Sequence, residues 1–325
     1  MQPNKNFNNG KRLPYCGYPS AADTWLHGLQ TLPEIFPLVT MEAASAYRSS
    51  RVKIVTADNL NKEKLLQMAG MMASSFAISE PMARHVQPPK DRPAEIFEKK
   101  HTDPFGNGEF GHWTKENILA WVVRLFILTD PCSPLGAIEL STHVIKQSLA
   151  AVNDDGDVVG GALNTIFDIS NTDKAMRSDD RFIGAILPFF EPISQFLTAQ
   201  LSASLNAVCK KYPEFLTALK ANRVGDLYMV ARSPLLPSED TFELVASTAL
   251  HFQQLGFEYL LVSAGNQWTG AACEVLEGVR IHFAPYRDQK RVFESHEPIA
   301  DKPSSIDGFI SDKDSGCMLY AIRLK

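Results

Sequence analysis

The chain has 325 residues, of which 45% are hydrophobic and 21% are charged, and this composition excludes a disordered or collagen-like protein. Its formal net charge is −5 at pH 7, with no long run of either sign. Such a charge distribution does not favour binding to nucleic acid or to an anionic membrane, so we expect a small-molecule partner.

Cysteines, histidines and apolar runs bear on compartment and metal content. The five cysteines include no C-x-x-C pair, which argues against a disulfide framework and a structural zinc site. The eight histidines show neither H-x-x-x-H nor H-E-x-x-H spacing, so no metal site is expected. The first residues lack an apolar core, and no apolar run reaches the roughly 20 residues of a membrane helix. The sequence therefore predicts a cytoplasmic protein without a membrane or nucleic-acid partner, and it leaves the oligomeric state open.

The start of the chain differs in pattern from the remainder. Residues 1–50 hold prolines and glycines around short apolar pieces, which favours an irregular arm. Residues 52–56 then alternate as a strand. Four apolar residues follow at helical spacing, namely Leu65, Met68, Met72 and Phe76. We therefore expect residues 51–325 to form a single domain, with a loop-like insertion near 86–146.

A β-hairpin is indicated in the middle of the chain. Residues 148–152 and 158–167 are strand-like runs joined by Asn-Asp-Asp-Gly, in which Asp-Gly tolerates the positive φ angles of a tight turn. The following stretch, near 169–224, is mostly helical in pattern and is interrupted by prolines. This stretch predicts a second insertion before the next strand.

The last hundred residues carry the clearest pattern. A strand over 227–231 precedes an amphipathic helix that ends at Gly256, and residues 259–263 are apolar enough for a parallel strand buried on both faces. A helix over 268–276 and two strands, at 279–283 and 318–324, close the chain. The elements predict an α/β (α+β) fold, a mixed, central twisted sheet with a parallel strand-helix-strand core flanked by helices.

The order of these elements over residues 52–324 resembles the GNAT superfamily of N-acyltransferases, and residues 227–278 resemble its acyl-CoA core. In that fold two adjacent parallel strands separate and leave backbone groups that hydrogen-bond the pantetheine arm of an acyl-CoA. The resemblance implies that acetyl-CoA or another acyl-CoA is the co-substrate. It places the pantetheine contacts at Val230 and Ala231, and it aligns the Asn that opens the last helix of the family with Asn266.

A second resemblance lies at the end of the first helix. Residues 76–82 are similar to the Phe-x-x-Asp-Glu-Pro-Leu segment of the arylalkylamine branch, which implies that Glu80 is the general base for the attacking amine. A partly buried carboxylate suits this role because burial can raise its pKa toward neutrality. The other interpretation is that Glu80 is a solvated residue at a helix end, since Phe189 to Pro192 contains a similar Glu-Pro motif.

The pyrophosphate loop of the family has no clear counterpart. Residues 231–240 contain no glycine, and they hold two prolines, which lack N–H donors, and two adjacent carboxylates, Glu239 and Asp240. These features oppose CoA binding. Arg232 or Arg223 is a candidate phosphate partner, and Ser238 is a candidate cap of the following helix.

The general acid of the family, a Tyr on the last helix, is also missing. Glu274 and its neighbour Cys273 occupy that region, and Tyr286 is an alternative proton donor. The sequence thus predicts an acyl-CoA-dependent N-acyltransferase, with acetyl transfer to a small amine as the expected reaction and Glu80 and Glu274 as catalytic candidates. The alternative is a catalytically inactive GNAT-fold protein that binds a ligand or a regulatory partner in the same cleft.

Overall fold

A seven-stranded sheet forms the centre of the molecule. The computed structural model describes residue 38 and residues 51–79, 142–167, 205–233, 236, 240–285 and 316–325. The strands are β1 (Lys53–Thr56), β2 (Leu149–Val152), β3 (Val158–Ile166), β4 (Val224–Arg232), β5 (Tyr259–Ala264), β6 (Val279–Pro285) and β7 (Gly316–Arg323). Their order in the sheet is β1-β2-β3-β4-β5-β7-β6. Adjacent strands are antiparallel except β4 and β5, which are parallel. The predicted mixed fold with a parallel core is confirmed.

Helices cover both faces of the sheet. They are α1 (Lys62–Ser79), α2 (Thr142–Gln147), α3 (Pro213–Lys220), α4 (Asp240–Gln254) and α5 (Gln267–Val275). One face packs against α4 and α5, where Leu260 and Val262 of β5 join the buried core. The alternate residue of β5, Leu261, joins the core beneath α3, and Leu163 of β3 joins the core beneath α1. Because strand side chains alternate between faces, α1 and α3 cover the opposite side from α4 and α5. We call these sides the α1/α3 face and the α4/α5 face.

The predicted hairpin is present between β2 and β3. The Asn153 N–H donates to the Asp157 carbonyl at 3.0 Å, and the Gly156 N–H donates to the Asn153 carbonyl at 2.9 Å. Gly156 has a φ of 81°, in the left-handed region that favours glycine. The turn residues therefore set the hairpin, as the Asp-Gly pair predicts.

Strand β4 begins three residues earlier than the sequence predicts. Gly225 and Asp226 interrupt the apolar pattern and make this part of the strand look like a loop. In the structure Gly225 faces the ring of Phe252 on α4, and a Cβ there would lie 2.6 Å from two ring carbons. The position thus requires glycine because the helix packs directly on the strand backbone.

The described part of the second predicted insertion is helical. Residues 205–211 form a helical segment that leads into α3, and Val208, Tyr212 and Phe215 are buried in the core beneath β5 and β7. Of the predicted arm the structure describes Leu38, which forms a parallel bridge with Arg323. The domain and insertion boundaries themselves stay predictions. In the described segments no helix has both the length and the apolar character needed to cross a membrane.

Candidate active site

Strands β4 and β5 separate halfway along their length. Their paired register runs from Val224 with Tyr259 to Leu227 with Val262 and stops there. Strand β4 nevertheless continues to Arg232, paired with β3, and β5 continues to Ala264, paired with β7. A gap therefore opens in the sheet between the upper halves of two adjacent parallel strands, as the family resemblance implies.

A β-bulge in β4 lies at the point where the gap begins. Met229 pairs with Leu163 and Leu227 pairs with Asn164, so Tyr228 is an extra residue with no partner position on β3. A bulge bends its strand and increases the local twist. The bulge at Tyr228 therefore accounts for the divergence of β4 from β5.

The backbone of Val230 faces the gap. Beyond the bulge, the Ser233 N–H donates to the Val159 carbonyl of β3 at 2.7 Å, so the backbone groups of Ser233 are directed to β3. Successive residues of a strand direct these groups to alternate sides. Ala231 therefore faces β3, whereas Val230 directs its N–H and C=O toward β5, beyond the last β4–β5 pair. Of the two predicted pantetheine contacts, Val230 is the one that offers its backbone to the gap.

Asp226 lies just below the gap on the α1/α3 face, and the sequence analysis does not identify it as a site residue. It stands opposite Thr165 of β3 and Leu261 of β5, with its side chain partly buried. Burial raises the pKa of Asp226 to about 7, although a hydrogen bond from Thr165 partly offsets the shift. A carboxylate of this pKa is suited to accept a proton near neutral pH. The signal in the sequence is a charged residue inside an otherwise apolar strand.

Tyr228 lies two residues beyond Asp226 and is 38% exposed. Burial around its hydroxyl and the negative charge of Asp226 raise the pKa of Tyr228 to about 12. The phenol thus stays protonated at neutral pH and can donate a hydrogen bond.

His282 of β6 lies on the same face of the sheet, two strands away from β5. It pairs with Leu319 of β7, and Leu319 pairs on its other side with Ser263 of β5. Burial lowers the pKa of His282, so its imidazole is neutral at pH 7. His282 and Asp226 therefore lie on the same face of the sheet, three strands apart in the order β4-β5-β7-β6.

Asn266 caps α5 at the open end of the gap. Its Oδ1 atom accepts hydrogen bonds from the Thr269 N–H at 3.0 Å and from the Thr269 hydroxyl at 3.2 Å. This cap fixes the side chain two residues beyond the end of β5. The amide oxygen thus holds the helix, and the amide nitrogen is the group with which Asn266 would contact a ligand.

The turn after β4 uses its described polar groups internally. The guanidinium of Arg232 donates to the carbonyl of Ser233 at 3.2 Å and also to that of Leu236. The Leu236 N–H donates to the Ser233 carbonyl at 3.0 Å. Arg232 thus stabilises the turn through these hydrogen bonds. Its role as a phosphate partner stays a prediction. Ser238 and Glu239 lie outside the described residues.

Glu274 and Cys273 differ sharply in environment. Glu274 is exposed, and its Oε1 atom accepts a hydrogen bond from the buried Tyr320 hydroxyl at 2.8 Å. Burial and this bond raise the pKa of Tyr320 well above its usual range. Cys273 is fully buried in the core, and burial raises the pKa of its thiol, which keeps it protonated. Glu80 and Tyr286, the other predicted catalytic candidates, lie outside the described residues.

In the part of the chain that the structure describes, no cluster of three or more His, Cys, Asp or Glu side chains could hold a metal ion. Among the described residues, the groups around the gap include the Val230 backbone, the carboxyl group of Asp226, the phenol of Tyr228 and the amide of Asn266.

Comparison with known proteins identifies the fold. No protein-family model and no curated protein sequence matches the chain. An insect protein assigned as arylalkylamine N-acetyltransferase 7, from the yellow fever mosquito, matches in structure with a TM-score of 0.53 and 12% sequence identity, over 91% of this chain and 98% of that one. The apo structure of an agmatine N-acetyltransferase variant matches with a TM-score of 0.50 and 12% identity, over 85% of this chain and 100% of that one. Both similar structures are acetyltransferases, and the chain has a divergent GNAT fold.

Proposed function

We propose that this protein is an N-acyltransferase that moves an acyl group, with acetyl as the first expectation, from an acyl-CoA thioester to a small amine. The observation that carries the proposal is the separation of β4 from β5, which leaves the Val230 backbone facing a gap in the sheet. Backbone groups inside a sheet are normally paired, and unpaired ones are costly when buried. A gap of this kind is therefore best explained by a ligand that supplies the missing hydrogen bonds.

The pantetheine arm of an acyl-CoA fits this gap chemically. It is an extended chain with two amides, so it can pair with a strand backbone in the way an added strand does. Val230 would accept and donate such bonds, and the amide nitrogen of Asn266 would supply another donor at the open end. When bound, the co-substrate provides an acyl thioester, which is the electrophile of the reaction.

The reaction requires a proton acceptor on the protein. The amine nitrogen attacks the thioester carbonyl carbon, the carbon–sulfur bond breaks, and the products are an amide and a thiol. An alkyl ammonium must lose a proton before attack, and the departing sulfur must gain one. A carboxylate with a pKa near 7 can accept the first proton at physiological pH.

Asp226 is the base that the described residues support. It lies one residue below the last β4–β5 pair, and burial raises its pKa to about 7. Glu80 follows directly after α1 and is the base that the family resemblance implies. Substitution of each in turn decides between them.

The departing sulfur also needs a proton donor, the general acid. Glu274 accepts the hydroxyl hydrogen of Tyr320 and therefore acts as an acceptor in that bond. Cys273 lies inside the core, away from solvent. Glu274 remains the proposed general acid, and its replacement by Gln should reduce the rate roughly 10-fold or more if it protonates the sulfur.

A direct assay tests the proposed function. The protein is incubated with acetyl-CoA and a panel of small amines, thiol release is followed, and acetylated products are identified by mass spectrometry. Thermal shift with acetyl-CoA reports binding separately, since a ligand at 100 times its dissociation constant stabilises a protein by about 2.7 kcal/mol. Turnover with any amine supports the proposal. Neither binding nor turnover with any acyl thioester would refute it.

A second function is favoured by the turn after β4. Its described donors are used internally and the family's helix Tyr is missing, which suits a GNAT-fold protein that binds a ligand without catalysis. Binding of acyl-CoA without turnover toward any amine, at any pH between 6 and 9, would favour this second function.

A further inference from the structure

We propose that the acyl donor is recognised through its pantetheine arm and not through its nucleotide, so that a pantetheine thioester lacking the nucleotide serves as well as acyl-CoA. This inference rests on the proposed N-acyltransferase function and specifies its donor class. It follows from a contrast between two ends of the same cleft.

In the turn after β4, the described N–H groups donate within the protein and two further positions are proline. Phosphate sites at helix N-termini are built from backbone N–H groups directed at the ligand. Here the N–H of Ser233 donates to Val159 and that of Leu236 donates to Ser233. Pro234 and Pro237 have no N–H at all. These four positions therefore offer no backbone N–H to a phosphate.

Two polar residues in the first turn of α4 are shielded from solvent. Thr241 and Glu243, in its first turn, are 8% and 6% exposed, so this turn is covered by protein. A carboxylate near a helix N-terminus already satisfies the positive end of the helix dipole. Glu243 thus adds a carboxyl group to the turn that an anion would have to approach.

The charge of this segment opposes a nucleotide. Residues 231–243 hold three carboxylates, Glu239, Asp240 and Glu243, and one basic residue. That residue, Arg232, is engaged with the carbonyls of its own turn. A CoA nucleotide carries a diphosphate and a further phosphate, all of which would approach net negative charge.

The other end of the cleft keeps what a pantetheine arm requires. The Val230 backbone faces the gap, and Asn266 is fixed at its mouth. Amide-to-backbone bonds depend on geometry and not on charge, so they survive the loss of the phosphate contacts. The donor is therefore a thioester on a pantetheine arm, either free or attached through one phosphate to a carrier protein.

A series of donors with one acyl group and one amine tests the inference. The donors are the acyl thioesters of pantetheine, of 4′-phosphopantetheine, of CoA, and of 4′-phosphopantetheine attached to an acyl carrier protein. We expect kcat/KM for acyl-CoA to lie within about threefold of that for acyl-pantetheine. An advantage of more than about 10-fold for acyl-CoA would overturn the inference. If kcat/KM for the carrier-bound donor exceeds that for acyl-pantetheine by more than about 10-fold, the donor is supplied on the carrier protein. If the two values are equal, the donor is the free thioester.

Binding separates this inference from the proposed function. If no donor supports transfer to any amine, the proposed function fails. Calorimetry then measures the dissociation constants of CoA and pantetheine, which test the recognition of the donor without reference to catalysis. Equal dissociation constants for the two would support recognition through the arm. Binding of CoA more than about 10-fold tighter than pantetheine, or binding of neither, would overturn it.

A loop variant tests the cause. Pro237→Gly combined with Glu239→Gln and Asp240→Asn restores one donor and removes two negative charges. We expect the preference for CoA over pantetheine to rise about 10-fold. The control, Asp154→Asn with Asp155→Asn, makes the same charge change on the exposed β2–β3 hairpin and should leave the preference unchanged. An unchanged or lower preference for CoA in the loop variant would overturn the assignment.

Discussion

The two halves of β4 each combine apolar residues with one charged residue, and they differ in their pairing. The lower half, from Val224 to Leu227, pairs with β3 on one side and β5 on the other, and both named residues are at most 2% exposed. The upper half, beyond Tyr228, keeps its pairing with β3 and loses that with β5. What distinguishes the halves is the pairing of their backbones and not the character of their side chains. The comparison teaches that a bulge of one residue can leave the backbone of a core strand facing a gap in the sheet.

The largest effect is expected at Asp226, the charged residue of the lower half. If it is the base, Asp226→Asn keeps its shape and removes the proton acceptor, so kcat/KM should fall roughly 10²- to 10⁴-fold. In the wild type the rate should rise as the pH increases through about 7, because the carboxylate then loses its proton. The measurement is a pH–rate profile of both proteins with an amine that reacts.

Glu80→Gln is the comparison for that experiment, because it tests the base that the family resemblance implies. A large loss in Glu80→Gln with a near-normal rate in Asp226→Asn would transfer the role to Glu80. The loss in either case should shrink at high pH, where the amine arrives already deprotonated. Equal rates in all three proteins at neutral pH would remove both carboxylates from the mechanism.

The pH dependence of folding stability tests the raised pKa of Asp226 independently of activity. Its pKa in the folded protein is about 7, above the ordinary value of 3.8, so between these values the folded state binds more protons than the unfolded state. The stability of the wild type should therefore fall as the pH rises through this window. Asp226→Asn removes the effect, and at pH 8 it should be more stable than the wild type by about 1–3 kcal/mol. Urea unfolding at pH 4 and pH 8 measures the difference, which should vanish at pH 4.

Gly225→Ala tests whether the lower half is packed core. The new Cβ would lie 2.6 Å from the ring of Phe252, which is fully buried and cannot move aside. Overpacking of this kind costs about 1–3 kcal/mol. The control is Gly70→Ala in α1, where nothing lies within 4 Å of the new Cβ and a small gain in stability is expected. A neutral result at Gly225 would show that the lower half is looser than the described packing.

The elements of the fold could be predicted from the sequence because each carries a local signal. The hairpin follows from Asp-Gly, and the burial of β5 follows from its continuous apolar run. The beginning of β4 could not be predicted, since Gly225 is explained by a contact with Phe252 on a helix that follows later in the chain. Local pattern does not contain such tertiary contacts.

The candidate site could be predicted only where a family motif marks it. Asn266 was identified through the family resemblance; in the structure it caps α5, and its contact with an acyl donor stays a prediction. Asp226 was not identified, because its raised pKa arises from burial between strands that are far apart in sequence. The bulge at Tyr228 likewise depends on the register with β3, which no residue of β4 specifies alone. Burial and register, rather than residue type, create this site.

A pair of proline substitutions in the upper half sharpens the comparison. Val230→Pro deletes an N–H that faces the gap, so the Michaelis constant for the thioester donor should rise roughly 2- to 10-fold, the equivalent of one hydrogen bond. Ala231→Pro deletes an N–H that faces β3 and should instead lower the melting temperature by several degrees. Steady-state kinetics and thermal unfolding of both variants measure the two effects. If both variants change the Michaelis constant and the melting temperature to the same extent, the N–H groups of Val230 and Ala231 do not have separate roles in donor binding and in sheet stability.

The smallest effect is expected at Thr165, whose hydroxyl reaches Asp226 across the β3–β4 ladder. Its hydrogen bond lowers the pKa of Asp226 and so works against the effect of burial. Thr165→Val keeps the shape of the side chain and removes the bond, which should move the midpoint of the pH–rate profile upward from about 7 by up to about 1 unit, because a hydrogen bond to a charged group contributes about 1.5 kcal/mol. At pH 7 the rate should then fall only a few-fold, and at pH 9 it should recover fully. Thr165→Ser keeps the hydroxyl and should behave as the wild type. Carbon-13 NMR titration of the Asp226 carboxyl gives the same shift without reference to activity, and a midpoint that stays in place in Thr165→Val would mean that burial alone sets the proton affinity of this strand.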